Sequence, residues 1–592
     1  MLFAHGEPAA GAPTEDLIPA TIVGLLLIGA LVAFAIAHRS GRTRLLAQLG
    51  AVGERVTGLP GWASVPMAIT GVSLIVAVFG FYWDVATHID DGRDAGPFAN
   101  PSHYFIIFGL AGIALAGIVG VLMGAARSAT TVRVREGWNA PVGAVLLLVC
   151  GGIAVLGFPL DDVWHRLFGQ DVTLWSPTHM QMVGGASLST LALWILHVEG
   201  GRSAVDTDKA RRSASFLEPV VAGAFLVGLS AFQAEFDYSV PQFRLLFHPI
   251  LLMAFAGIAL VPARMRLGRG GALKAVLFFI GLRAVLSVVV GPVLGHTTLH
   301  FPLYLAEAVA IELVALRIKP ERGVVFGAVA GAAIGTFGLA GEWLWSHLWM
   351  TMEWPAALLV EGITLGLIAA VSGGCLGAFI GRALDGGTME RAPRLAGVLT
   401  ALGIFLVLAY PLATNASLQG SVDVTLDPVE GRDGRWVDAT LTMDPKDVAE
   451  GSAWFNITAW QGGGSFVESL VETSPGVYEA SGPVPVFGEW KALVRLQHGR
   501  SLMAVPIFLP EDPAIPAEEV PAQASFTRDL MSDKKIVLRE AREVEAPLTF
   551  SATGAILAIW IAWVIALGWG LRKLQRDGAS PRPRFRSAVV GT

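Results

Sequence analysis

Cysteine is nearly absent from this 592-residue chain, which has only Cys150 and Cys375, each inside a long apolar run. That excludes a disulfide framework, and with it a zinc finger or a blue-copper centre built on thiolates. Charge is scarce too. Asp, Glu, Lys and Arg make up 15% of the residues, against roughly 25% in a soluble protein. No phosphate-binding glycine loop, dinucleotide fingerprint or nucleophile elbow occurs, so the common nucleotide and hydrolase chemistries have no anchor. The opening MLFAHGEPAAGAPTEDL is too polar for a typical cleavable signal peptide. The net charge of −6 says little by itself, because the charges are segregated along the chain.

What is abundant is apolar sequence: 53% of residues are hydrophobic and the mean hydropathy is +0.59. Runs near the length that spans a bilayer predict about thirteen transmembrane helices. They fall at 17–38, 66–86, 104–126, 140–160, 179–198, 217–235, 248–264, 273–294, 302–317, 323–342, 355–380, 394–413 and 547–571. Basic residues collect in alternate loops, such as Arg39, Arg42 and Arg44, or Lys209, Arg211 and Arg212, and in the tail after Arg572. The positive-inside rule then predicts a multi-pass plasma-membrane protein with the N-terminus outside and the C-terminus in the cytoplasm. The same distribution explains the basic residues without nucleic acid, which is not an expected partner; membrane lipid is.

One polar stretch between two apolar runs stands out: DDVWHRLFGQDVTLWSPTH, residues 161–179. Asp161 and His165 are four apart and share a face if the preceding helix continues through them. His179 then opens the next run behind Ser176 and Pro177. Two side chains from one helix end and a third from the next helix start can converge on one ion. An earlier stretch repeats the layout, with Asp84, His88 and then His103 behind Asn100, Pro101 and Ser102. On the predicted topology eight of the twelve histidines lie at the outer membrane face: these four and His248, His296, His300 and His347. Ionisable groups at membrane depth point to function. Imidazole with carboxylate suits copper, zinc, iron or nickel, and the donor set alone does not choose among them.

The second half varies the same theme. Glu235 precedes His248, His296 and His300 stand four apart, and Glu342 is followed by His347. Two readings are balanced here: a second metal or proton site, or interfacial capping with buried hydrogen-bonded pairs. Arg283 falls mid-membrane, where an unpaired charge is costly, and Glu312 on the next run is its expected partner. Trp-rich loops such as EWLWSHLWMTMEW read as an aromatic belt.

Residues 414–545 change character. VDVTLDPV, RWVDATLTMD, SAWFNITAW and GEWKALVRLQ alternate apolar and polar residues between turn signals, which predicts a small antiparallel, immunoglobulin-like β-sandwich outside the membrane. The expected organisation is an outer segment 1–16, a twelve-helix membrane domain 17–413 and a sandwich 414–508. A Pro- and Glu-rich return linker 509–546, a last helix 547–571 and a cytoplasmic tail 572–592 follow. The sandwich is expected to rest over the outward loops.

The stretch around Asp161 resembles the copper-ligand motif in the C subunit of the copper-dependent membrane monooxygenases, the particulate methane and ammonia enzymes. Asp161, Trp164, His165, Ser176-Pro177-Thr178 and His179 carry the likeness. Asp84, His88, Pro101 and His103-Tyr104 resemble that subunit's second metal motif, with Asp84 where the family has Asn and with the two motifs in reversed order. The resemblance covers about residues 80–200. Separately, GVYEASGPVPVFGEWKALVRLQHG resembles YtkA/FixH-like extracytoplasmic domains linked to copper handling, although this copy holds one histidine, His498, and no cysteine. These likenesses imply copper as the cofactor, with zinc or iron as alternatives. They leave three readings open: a monooxygenase-like enzyme acting on a small apolar substrate, a copper acquisition or delivery protein serving a partner such as a respiratory oxidase, and a receptor or assembly factor with a structural metal.

Overall fold

The computed structural model describes residue 12 and residues 14–93, 98–124, 130–169, 173–387, 394–410, 418–515, 517–542 and 544–578. The first helices are α1 (Thr14–Arg39), α2 (Leu45–Thr57), α3 (Gly61–Asp90), α4 (Pro101–Leu122), α5 (Val142–Phe168), α6 (Pro177–Arg202) and α7 (Thr207–Ser230). A short turn α8 (Ala234–Asp237) precedes α9 (Phe247–Leu267), α10 (Gly271–Val288), α11 (Leu305–Ala315), α12 (Val324–Ala333) and α13 (Leu339–Trp349). Then come α14 (Leu359–Asp385), α15 (Arg394–Ala409), the single turn α16 (Lys534–Val537) and α17 (Ala546–Gly578).

Eleven helices of the described residues are long and apolar enough to cross a membrane, against the thirteen expected. The difference lies in two places. The run at 302–317 holds only the eleven-residue α11, because residues 297–304 are non-helical yet deeply buried at Leu299, Phe301 and Tyr304. The run at 394–413 yields the shorter α15. Irregular backbone at membrane depth survives only where protein satisfies its polar groups. Here the Glu342 carboxylate accepts the Leu303 and Tyr304 N–H groups. Single π-helical turns at Val289–Val293 and Ile334–Gly338 extend α10 and interrupt the span that contains α12 and α13.

Glycine lets the helices approach closely, which is how apolar helices gain contact without a hydrophobic force between them. A Cβ on Gly257 would meet the Gly374 backbone nitrogen at 2.4 Å, and one on Gly143 would meet Leu196 Cα at 2.6 Å. By contrast α1 and α17 turn mostly exposed apolar surface outward, with Leu26 and Phe550 among the most exposed. One group of basic residues lies at the end of α9 opposite His248. There Arg266 pairs with Glu218 and Asp385, and Arg264 with Glu312.

The expected Arg283–Glu312 pair does not form. Arg283 is fully buried and pairs instead with the equally buried Asp237, over the ring of Tyr82. Glu312 accepts the N–H groups of Gly270 and Ala272 at the start of α10, besides pairing with Arg264.

The β domain has two antiparallel sheets. One is formed by β3 (Ser421–Val429), β4 (Trp436–Asp444), β7 (Val477–Ala480) and β8 (Val484–Pro485), with β11 (Ser525–Asp529) on the β3 edge. The other is formed by β5 (Trp454–Trp460), β9 (Lys491–His498) and β10 (Ser501–Phe508), with β12 (Met531–Ser532) on the β10 edge. The long strand β6 (Ser465–Ser474) pairs with β5 through its first half and with β7 through its second. A separate hairpin, β1 (Thr131–Arg135) and β2 (Trp138–Pro141), joins α4 to α5. Alternation explains the core: Val422, Val424 and Leu426 of β3 are buried while Asp423, Thr425 and Asp427 are exposed. They pack with Val494 and Leu496 of β9 and with Met503 and Val505 of β10. The segment 509–546 is therefore more than a linker, since its residues 525–532 complete both sheet edges.

The sandwich rests on the membrane helices at the histidine end. Gln461 and Gly463 donate to the carbonyls of Ile89 and Asp90, each at 2.9 Å. The Gln497 side chain accepts the Leu245 N–H, and Arg495 donates to the Pro241 carbonyl.

Candidate metal centres

Each candidate centre is a helix end followed by a helix start. Asp84 and His88 lie in the last turns of α3, and Asp161 and His165 in those of α5. The chain then turns into a capped helix. Asn100 caps α4 by accepting from Ser102 N, and Ser176 caps α6 by accepting from His179 N, with Pro101 and Pro177 at the first helical position. Proline fits there because that N–H has no intrahelical partner. The cap sets the register that brings the second histidine to the carboxylate.

In the first triad His103 Nε2 lies 3.0 Å and His88 Nε2 3.7 Å from Asp84 Oδ1. In the second, His179 Nε2 is 3.5 Å from Asp161 Oδ1 and His165 Nε2 is 3.8 Å from Oδ2. The ring centroids are 6.1 Å apart in one and 6.2 Å in the other. All candidate donor atoms of each triad fall within 4.8 Å of one another, and among the described residues only these two groups of three or more do so. Ligand bonds of about 2.0–2.1 Å in a tetrahedral arrangement place donors about 3.3 Å apart, so the spacing fits a first-row ion. The outer nitrogens fit as well. His88 Nδ1 lies 2.9 Å from the Gly92 carbonyl, and His179 Nδ1 2.9 Å from the Thr173 carbonyl. Such contacts put the proton on Nδ1 and leave Nε2 as the donor.

Sequence reading missed the groups that orient the carboxylates. Ser102 Oγ donates to Asp84 at 2.6 Å and Thr178 Oγ1 to Asp161 at 2.5 Å. In both copies the hydroxyl residue immediately precedes the second histidine, and that shared position was the available signal. Asp84 also accepts from Asn100 Nδ2 at 3.0 Å. Phe158, one turn before Asp161, sets its ring edge-on to His103 at 5.9 Å, which puts the two triads side by side.

The second-half candidates do not assemble this way. Glu235 accepts from Thr173 Oγ1, Leu174 N and Gln242 N, so it holds the loop that leads to His179. His248 stacks on Phe236 and accepts from Trp354 Nε1. His296 accepts from Trp83 Nε1 and reaches Asp90, whose carboxylate also accepts the Thr297 N–H. His300 lies against Trp349, Glu342 caps α11, and His347 pairs with the Trp343 carbonyl and stands 3.9 Å from Glu353. Each makes its own local contacts, and among the described residues none joins a group of three donors.

All six triad residues line one cavity of about 740 Å³. Its roof carries Gln461, Lys491, Arg495 and Glu540 of the β domain and return segment. Arg93 ties that roof down, 2.7 Å from Asp512 and 3.1 Å from Glu540. Burial lowers the Lys491 amine to about 8 against the pull of Glu540, 3.7 Å away. Below the triads the walls are mainly apolar, including Met67, Val78, Phe81, Leu110, Val183 and Val227.

No protein-family model, curated protein or solved structure matches the chain. The class the geometry defines is a polytopic helical membrane protein that carries a β domain over two adjacent Asp/His clusters.

Proposed function

We propose that the two triads hold copper and that the protein is a monooxygenase-like membrane oxidoreductase acting on an apolar substrate. In this reading the N-terminus is outside, the C-terminus is cytoplasmic, and the sandwich covers the outer face. The observation that carries it is the shared cavity: both triads open onto one mainly apolar space inside the bundle. A metal path leading inward would need mainly polar lining below the ligands, whereas Val78, Phe81 and Val183 dominate that stretch beside scattered hydroxyls such as Ser187 and Thr190. The donor chemistry supports copper, since imidazole and carboxylate bind Cu²⁺ ahead of the other divalent first-row ions.

Copper bound there would supply one-electron chemistry toward dioxygen. The chain's own part is to fix His88 and His179 through Nδ1 contacts, to set His103 and His179 at capped helix starts, and to aim both carboxylates through Ser102 and Thr178. The β-domain roof restricts water, and the apolar walls hold substrate beside the donors. Copper-loaded protein supplied with a reductant and an apolar substrate should consume dioxygen, and His165→Ala should abolish that.

The delivery reading is favoured by a different observation, the docking of a separate β domain directly over the triads. It predicts copper-loaded protein that never consumes dioxygen, together with copper loss from a partner oxidase when the sandwich is replaced by a short Gly/Ser loop.

A further inference from the structure

The cavity does not end at the triads. It follows α3 from Ser64 to His88, about 36 Å at 1.5 Å per residue, which exceeds the roughly 30 Å of a bilayer's hydrocarbon core. On one side Ala68, Gly71, Val72 and Ile75 of α3 form its wall, and α7 and α10 face them with Val220, Ala224 and Leu282. Val72 and Ile75 remain 65% and 55% exposed although they line the cavity. The cavity is therefore a groove with a lateral mouth between α3 and the α7–α10 pair.

The mouth is shut toward the triads. Asp90, 2% exposed, accepts from Thr297 N and meets His296 Nδ1 at 3.1 Å, and Trp83 donates to His296. About two turns lower on α3, Tyr238 Oη donates to the Tyr82 carbonyl, and Arg283 covers the Tyr82 ring. These contacts clamp the end of α3 to the segment after α10 and leave the opening at Val72 and Ile75. That opening lies about 20–24 Å along the helix from His88, at hydrocarbon depth.

From this we infer that the groove takes an uncharged long alkyl chain laterally from the bilayer and leads its end to the triads. The inference rests on the proposed function for what happens to that chain, but not for its binding. A charged headgroup cannot enter at hydrocarbon depth without a large desolvation cost. The roof gives it no counter-charge either. Arg93, Lys491, Arg495 and Arg539 are each within 3.8 Å of a carboxylate of Asp512, Asp533 or Glu540. The groove's length suits a chain rather than a compact molecule, which would leave most of it empty.

The test uses metal-free full-length protein in lipid nanodiscs, photolysed with n-hexadecane carrying a mid-chain diazirine, with adducts mapped by mass spectrometry. Adducts should concentrate on residues 67–78 of α3 and 217–228 of α7, and should fall when unlabelled hexadecane is added. Gly71→Trp projects into the groove from a position where an added Cβ meets no atom within 4 Å, and the thermal melt of the variant checks that it folds. It should lower groove adducts roughly tenfold, as expected from displacing a few buried methylenes. Gly29→Trp on lipid-facing α1, equally free of contacts, should not. Adducts spread evenly over α1 and the groove, or unchanged by Gly71→Trp, would overturn the inference. So would a groove labelled only by a phospholipid probe and not by hexadecane. Copper content unchanged in the histidine variants, with alkane labelling intact, would sink the oxidoreductase reading alone.

Discussion

Thr178→Val probes how each carboxylate is held, and the two centres should answer differently. Thr178 is 4% exposed and donates the 2.5 Å hydrogen bond that orients Asp161. Valine keeps the shape and removes the donor. Groups of this kind behind a metal ligand typically account for 10–100-fold in affinity, or about 1.4–2.7 kcal/mol. Ser102→Ala removes the equivalent bond at Asp84, but Asn100 Nδ2 still donates to the same oxygen at 3.0 Å. The loss there should be near a single ordinary hydrogen bond, about 1 kcal/mol or roughly fivefold. The assay is a copper competition titration against a chromophoric chelator, one centre at a time, with the other removed by replacing both of its histidines with alanine. Thr178→Val without effect on Cu²⁺ affinity, or Ser102→Ala costing more than Thr178→Val, would refute this account of the sites.

Three further outcomes follow from the buried charges. Arg283→Met should destabilise the bundle by roughly 3–5 kcal/mol because Asp237 stays buried without its partner, and adding Asp237→Asn should recover much of that in thermal unfolding. Asp90→Ala should lower the melting temperature by removing the α3 clamp while leaving copper stoichiometry unchanged, as read by metal analysis of the same sample. Lys491 binds its proton less tightly folded, at about 8, than unfolded, at its ordinary 10.5. Between those values the unfolded chain holds the extra proton, so this group's contribution to stability rises with pH. Thermal melts at pH 7 and pH 9.5 should show a gain that Lys491→Met reduces.

The local parts of this molecule were legible and the long-range parts were not. Asp84 with His88, and Asp161 with His165, follow from a four-residue helical spacing, and the Pro-capped helix starts follow from Asn100-Pro101 and Ser176-Pro177. Alternation in VDVTLDPV showed the inner face of β3. Nothing local shows that His296 meets Asp90 206 positions away, or that Arg283 finds Asp237 46 positions before it rather than Glu312 on the next helix. Apolar content alone also made 302–317 read as a span, because hydropathy does not register the unwound backbone that Glu342 satisfies from α13. The return segment was read from its prolines, which hid the two short strands that complete the sandwich.

The central claim is that the triads hold copper. Metal analysis and electron paramagnetic resonance of purified protein, wild type beside His88→Ala/His103→Ala/His165→Ala/His179→Ala, test it most directly. One ion per triad means about two copper ions per wild-type chain, with nitrogen coupling in the Cu²⁺ spectrum, and almost none in the fourfold variant. Copper content unchanged by the four substitutions, or zinc retained in its place by the wild type, would contradict it.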